Sequence, residues 1–306
     1  MLIPEPRLVG KVEERYELMK ILAGQEQFLQ DKARTIAERI KATVTTDIEE
    51  VAGEDRYLRF DPNGLSLVQG KMELRGDFGQ MHRRVLGGHL QHEKLLRAAR
   101  WKGMPDDPIA VDATAGLGED SFILAAAGFH VIMCEYNPVI AALLADALER
   151  AQNGPSISRG GGADDLTGVS VEKRKPAVRY SDSFETEQIE NRIREIANRM
   201  ELITGNGIDI LASLEKRPDL IYLDPMFPAK QKSGISTKKL QLFQQLETPC
   251  AAEEELLKAA FEAGPQRIVV KRPIKGKPLA GRRPGYAIEC RNVRYDCYLI
   301  SDAEFS

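Results

Sequence analysis

The sequence predicts an α/β fold: an open, largely parallel sheet with helices on its faces, preceded by a small α+β unit. Three observations predict it. From about residue 109 onward, short apolar runs rich in β-branched residues alternate with stretches of helical period. Those runs stop abruptly at Asp112, Glu135, Gly205 and Asp224, the kind of strand end at which open α/β sheets bind ligands. The last two runs, Ala287 to Cys290 and Tyr295 to Ile300, follow each other without a helix, which suits an antiparallel pair at one sheet edge.

A chain of 306 residues is long enough for one large α/β domain plus an appendage. With 42% hydrophobic and 29% charged residues its composition is that of an ordinary soluble protein. No apolar run approaches a membrane span, and Met1-Leu2-Ile3-Pro4-Glu5 lacks the basic and apolar regions of a secretory signal, so a cytoplasmic protein is expected. Cys134, Cys250, Cys290 and Cys297 form no Cys-x-x-Cys pair and are expected as buried thiols. The net charge of −3 excludes a uniformly basic nucleic-acid binder, so any such footprint must be local.

In chain order, apolar positions between residues 11 and 50 recur at helical spacing and predict two amphipathic helices, the first through Val12, Tyr16, Met19, Ile21 and Leu22, the second through Phe28 to Ile40. Tyr57 to Phe60 and Leu65 to Val68 flank Asp61-Pro62-Asn63-Gly64, a hairpin signal carried by the Asn-Gly pair. Asp77 to Gly88 reads as a basic turn bounded by glycines, followed by a helix to about Trp101. Ile109 to Asp120 reads as strand, glycine-rich turn and helix start. Small residues there let backbone approach a ligand, and helix-terminal N–H groups point at it.

The next strand, His130 to Cys134, ends at Glu135. A Gly-x-Gly turn followed by an acid at the end of the next strand fits a bound nucleoside, whether of a nicotinamide or a S-adenosylmethionine (SAM) enzyme. The third glycine of the dinucleotide pattern is Ser121 here, which tilts the balance away from NAD. Residues 152–185 lose all periodicity and are expected as a flexible insertion. A helix from Ile189 to Met200 leads to a strand at Glu201 to Thr204. Asn206 after it either offers its amide to an adenine edge or tolerates a left-handed turn, while Asp209 belongs to the following helix's first turn.

The run Leu220 to Leu223 ends at Asp224-Pro225-Met226-Phe227-Pro228. This stretch is either an ordinary turn or a stiff corner offering a carboxylate, a carbonyl and an aromatic face, which together suit a flat heterocycle with an exocyclic amine. Basic residues follow the later strand ends: Lys230, Lys232, Lys238 and Lys239, then nine between Arg267 and Tyr298, Lys271 and Arg272 among them, against only Glu289 and Asp296. A polyanion on this side of the sheet is the expectation. His89 and His92 stand at helical spacing, but no metal site is expected, and the absence of a Gly-x-Ser-x-Gly elbow argues against a serine hydrolase.

Asp224-Pro225-Met226-Phe227 resembles the Asp/Asn-Pro-Pro-Tyr/Phe motif of methyltransferases that act on base amino groups. Together with Asp112-Ala113-Thr114-Ala115-Gly116-Leu117-Gly118-Glu119-Asp120, Glu135-Tyr136-Asn137-Pro138, Val269-Val270-Lys271-Arg272-Pro273 and His82-Arg83-Arg84, it is similar to the small-subunit ribosomal RNA guanine-N2 methyltransferase J family over about residues 60 to 300. The resemblance implies a Rossmann-like class I SAM-dependent methyltransferase sheet over residues 81–306, with an RNA-facing α+β subdomain at 1–80. It implies SAM as cofactor and 16S rRNA or the small ribosomal subunit as partner, with no membrane or metal.

By the same resemblance, cofactor contacts fall to Asp112, Gly116, Gly118, Glu119, Asp120, Glu135, Tyr136, Asn206, Gly207 and Asp224. Asp224, Pro225 and Phe227 carry the chemistry, and His82, Arg83, Arg84, Lys230, Lys232, Lys271 and Arg272 meet RNA. Glu119, Tyr136 and the Asn206-Gly207 pair depart from the family pattern, so contacts there are expected through backbone or in altered form. Rival classes are an NAD-dependent oxidoreductase, an adenine-N6 or cytosine-N4 methyltransferase, and a non-catalytic RNA-binding protein on the same fold.

Overall fold

The computed structural model describes residues 19–86, 88–153, 183–225 and 252–300, and these form two sheets. The larger one has seven strands: β6 (Ile109–Asp112), β7 (His130–Glu135), β8 (Met200–Thr204), β9 (Leu220–Leu223), β10 (Arg267–Pro273), β11 (Tyr286–Glu289) and β12 (Val293–Leu299). Their spatial order is β11-β12-β10-β9-β6-β7-β8. The run from β8 through β10 is parallel, and β12 and β11 close the edge antiparallel, as expected. Strand order reverses between β6 and β9, so the crevice outside their C-terminal ends is where such a sheet takes a ligand.

Both faces of this sheet are covered, which explains why its strands read as continuous apolar runs. On one face α2 (His82–Val85), α3 (Lys94–Ala99), α4 (Glu119–Ala126) and α6 (Ser183–Ala197) pack with Val85, Phe122, Leu124, Val131 and Val269. On the other, α7 (Gly207–Ala212) and α8 (Glu253–Glu262) bury Leu211, Leu256 and Leu257 against Val111, Ile221 and Ile268. The smaller sheet joins β1 (Lys20–Ala23), β2 (Thr43–Thr45), β3 (Tyr57–Asp61), β4 (Gly64–Gln69) and β5 (Met72–Leu74) in the order β2-β1-β3-β4-β5. Its core with α1 (Gln27–Ile40) continues into Val139, Ile140 and Leu143 of α5 (Pro138–Asn153). A buried polar clasp reinforces the joint: Asp146 Oδ2 accepts from Leu65 N (3.0 Å) and Arg150 Nε (2.8 Å), and Arg150 Nη2 donates to Gly76 O (2.6 Å).

Several expectations are corrected here. The first of the two predicted helices is instead β1 over its described part. Ile21, Leu22 and Ala23 are consecutive and all buried, because β1 lies between β2 and β3: Ile21 and Ala23 join the core under α1, and Leu22, on the other face, is flanked by Thr45 and Arg59 of the neighbouring strands. The hairpin turns at Pro62-Asn63, one residue earlier than the Asn-Gly pair suggested. Asp61 pairs with Gly64, and the Asp61 carboxylate accepts from Asn63 N at 2.8 Å. The helix expected to run to Trp101 is broken into a 3₁₀ turn at His89–His92 and the short α3, because Glu93 is extended between them. α6 begins at Ser183, and Met200 already belongs to β8. Cys134 and Cys297 are buried thiols and Cys290 is half-buried. Cys250 and most of the expected insertion (154–182) lie outside the described residues. No helix among those described is long and apolar enough to cross a membrane.

Candidate active site

The turn after β6 is stapled to the strands on either side. Gly116 N donates to Glu135 Oε2 (2.9 Å) and Ala115 N to Cys134 O (3.0 Å), which ties it to β7. Ala113 N donates to Tyr222 O (3.1 Å), and Asp224 N donates to Thr114 Oγ1 (2.6 Å), which ties it to β9. Gly116 and Gly118 take positive φ (56° and 76°), a backbone that only glycine adopts without strain. A Cβ on Gly118 would also stand 2.8 Å from Leu144 of α5. At the start of α7, a Cβ on Gly207 would collide with the Ala113 carbonyl, so α7 closes directly onto the same turn.

Four acids meet around it. Asp112 is 1% exposed and accepts from Ser121 Oγ (2.5 Å) and Thr114 N (3.1 Å). Burial pushes it up to about 7 in spite of those bonds. Glu135 is 3% exposed, accepts from Gly116 N and Asn137 N, and is likewise raised by burial to about 7. Asp120, in the first turn of α4, accepts from Tyr222 OH (2.6 Å) and Lys271 Nζ (2.8 Å). Burial alone would raise it, but the Lys271 ammonium outweighs burial and holds it below the usual carboxylate range. Asp224, at the tip of β9, pairs with the same ammonium at 2.9 Å. Burial keeps it above its ordinary value against the pull of Lys271, with Asp120 acting in the same direction as burial. Lys271 is raised in turn: burial would lower it, and the two carboxylates more than compensate.

The arrangement joins Asp112, Gly116, Gly118, Asp120, Glu135, Gly207 and Asp224 around one crevice. Asn206 caps α7, its side chain accepting from Ile208 N (3.0 Å) with φ −72°, so it makes no left-handed turn and its amide N–H groups are what it offers outward. Asp209 lies in that helix's first turn, as expected. Glu119 is exposed and Tyr136 is 36% exposed. Pro225 is buried behind Asp224. Phe227, Lys230 and Lys232 lie outside the described residues.

The expectation that Lys271 and Arg272 face RNA is at odds with their positions. Lys271 bridges the two acids of the site, and Arg272 is 6% exposed, donating to Lys277 O (2.7 Å) and meeting Glu253 (3.4 Å). Two more of the nine basic residues are structural. Arg267 holds Ala98 O and Arg100 O, and Arg294 pairs with Asp296 and the carbonyls of Pro273, Ile274 and Gly276. Lys275, Lys277, Arg282, Arg283 and Arg291 remain exposed. Of the earlier basic turn, Arg83 is exposed, Arg84 forms a bidentate pair with Glu93 (2.8 and 3.0 Å), and His82 Nδ1 meets Gly79 O at 2.8 Å. Sequence reasoning missed Tyr222, Thr114 and Ser121 as supports, and missed the bridging role of Lys271. The only available signal was that Lys271 follows the apolar run Ile268 to Val270 as Asp224 follows Leu220 to Leu223.

The donor set suits SAM. Glu135 has only backbone N–H partners and no basic side chain against it among the described residues, leaving acceptor capacity for ribose hydroxyls. Asp120 and Asp224 outnumber the single ammonium of Lys271 even where Asp112 holds its proton, and this negative corner favours a sulfonium. The comparisons agree. The family described as "Putative SAM-dependent methyltransferase" matches residues 46–161 and 167–300. Ribosomal RNA small subunit methyltransferase J of Thioalkalivibrio sulfidiphilus is 36% identical over 282 residues, covering 89% of this chain and 96% of that protein. The protein of the same name from Chromobacterium violaceum is 39% identical over 222 residues, 72% of each chain. The crystal structure of a SAM-dependent methyltransferase from Neisseria gonorrhoeae superposes with a TM-score of 0.61 at 26% identity, covering 94% of this chain and 99% of that one. A sheet, a glycine turn and an acidic corner of this kind, with relatives matching nearly end to end, place the chain in the ribosomal RNA small subunit methyltransferase J family of SAM-dependent methyltransferases.

Proposed function

We propose that the protein methylates the exocyclic N2 amine of a guanine in 16S rRNA, using SAM. The observation that supports this most directly is the position of Asp224: it projects from the tip of β9, its backbone tied to the glycine turn through Thr114 and its carboxylate held by Lys271. Bound SAM supplies an electrophilic methyl group. Glu135 is assigned to its ribose, Asn206 and Tyr136 to the adenine side, and the Asp112–Asp120 corner to its charged end.

A guanine amine is a weak nucleophile because its lone pair is delocalised into the ring. The chain's task is to orient it and favour the pyramidal nitrogen. Asp224 and the Pro225 carbonyl accept the two N–H groups, and Phe227 is assigned to stack on the base. Positioning of this kind contributes several kcal/mol, and a charge-assisted hydrogen bond about 1.5–3 kcal/mol. As N2 gains a fourth bond it becomes cationic, and the Asp224 carboxylate, whose proton affinity burial raises, is placed to receive the departing proton. Lys271 favours its ionised form against burial and aims it beforehand.

The base must leave its helical stack to reach the site. Arg83 and the exposed basic residues after β10 are assigned to the phosphates around it, together with Lys230 and Lys232, and the α+β unit over residues 1–80 to the RNA side. The test is methyl incorporation into small-subunit rRNA followed by nucleoside mass spectrometry. Wild type should yield N2-methylguanosine, and Asp224→Ala should lose transfer while still binding SAM in calorimetry. Unchanged turnover in Asp224→Ala removes that residue from the chemistry, and N6-methyladenosine or N4-methylcytidine as product overturns the choice of base.

A further inference from the structure

Beside the strand-tip crevice lies a second cavity of about 740 Å³, within the size range of small-ligand sites. Its rim carries Arg83, His89, His92 and Lys94, all exposed. The one carboxylate among its described lining residues, Glu93, is already engaged by Arg84 in a bidentate pair. Arg83 and Lys94 therefore leave an excess of positive charge, and the rim adds the two flat imidazoles of His89 and His92. The floor is different in kind: Leu86, Ile189 and Cys290 are partly buried and apolar, and Tyr295 closes it.

This cavity adjoins the methyl-transfer site. Tyr295 stands opposite Lys271 in the β10–β12 register, and the Arg84 guanidinium acts electrostatically on Asp120. An apolar floor under a cationic rim matches one ligand chemistry well, a heterocyclic base carrying a phosphate. Turning one base out of a stack also deprives its sequence neighbour of a stacking partner.

We propose that this cavity is a second nucleotide subsite, which takes the base next to the target guanine on its apolar floor and that base's phosphate on Arg83 and Lys94. It rests on the RNA-methylation reading above and goes beyond it by giving the enzyme a second base to recognise.

The test uses the full-length protein and the small-subunit rRNA fragment that it methylates, compared with fragments made abasic at the nucleotide on either side of the target. One abasic neighbour should raise KM roughly tenfold, the effect of one lost base stack. Ile189→Trp, which fills the floor, should raise KM on the intact fragment and show little further loss on that abasic one, the coupling expected of a shared contact. Lys94→Glu should weaken RNA binding with a smaller salt slope, while SAM affinity stays at the wild-type value. Equal KM on intact and both abasic fragments overturns the subsite, and this arm needs no variant to fold. A tryptophan penalty of the same size on intact and abasic RNA overturns it too. A salt-dependent effect of Lys94→Glu without any abasic effect reduces the cavity to a phosphate patch and overturns base recognition. Loss of wild-type transfer to the intact fragment would instead strike the RNA-methylation reading itself.

Discussion

Lys271→Met tests the centre of the site. It keeps the side chain as far as Cε and removes the ammonium that sits 2.8 Å from Asp120 and 2.9 Å from Asp224. Each contact is a charge-assisted hydrogen bond, worth about 1.5–3 kcal/mol. The Asp224 side chain is 35% exposed and therefore partly screened, so the lower end applies to it. About 1.5 kcal/mol corresponds to roughly one pH unit. The sign follows from what remains: without Lys271, burial and the Asp120 charge both favour the protonated form of Asp224. The acidic limb of the kcat/KM profile for rRNA methylation should therefore move up by about one pH unit. Calorimetry with SAM, run alongside, separates this from a cofactor defect. Superimposable acidic limbs in wild type and variant would refute the reasoning, because Lys271 would then not set the ionisation of the reacting carboxylate.

Two further outcomes concern stability. Asp112, raised by burial to about 7, holds a proton more readily folded than unfolded, so the stability it contributes is present at low pH and is lost as pH rises through about 7. Asp112→Asn should remove that loss, giving a smaller fall in thermal midpoint between about pH 5 and pH 8 than wild type, with Glu135 left to account for the remainder. An unchanged slope would exclude Asp112 as its source. Asp146→Ala breaks the clasp between the small sheet and α5, leaving Arg150 with Gly76 O and Leu65 N without its acceptor. Breaking a buried pair costs about 3–5 kcal/mol, and the 18% exposure of Arg150 points to the lower figure. Thermal unfolding should show a midpoint several degrees lower, and a wild-type midpoint would mean that the apolar contacts of α5 alone hold the small sheet.

The parts of the fold that could be read in advance are those where one local rule dominates. β6, β7 and β9 are short apolar runs closed by an acid, and α5 begins at a proline, so their bounds needed no tertiary information. β1 went the other way: Met19, Ile21 and Leu22 satisfy a helical period by accident, and only pairing with β2 and β3 makes three consecutive buried residues a strand. The same split runs through the site. Asp112, Glu135 and Asp224 were recognisable because a carboxylate that ends a strand has few structural reasons to be there.

Arginine and lysine were not legible in that way, since their long side chains can reach in several directions. Arg267, Lys271, Arg272 and Arg294 look in sequence like one basic run with Lys275, Lys277, Arg282 and Arg283, yet the first four are spent on carbonyls and carboxylates inside the fold. Sequence by itself determined that a glycine turn and three acids stand at strand ends of an α/β sheet, because those features depend on backbone conformation and strand length. Which cation meets which acid was decided only by the tertiary structure. The order β10-β9-β6 brings Lys271 beside Asp224 and across from Asp120, residues 47 and 151 positions away in the chain, and no local pattern encodes that distance.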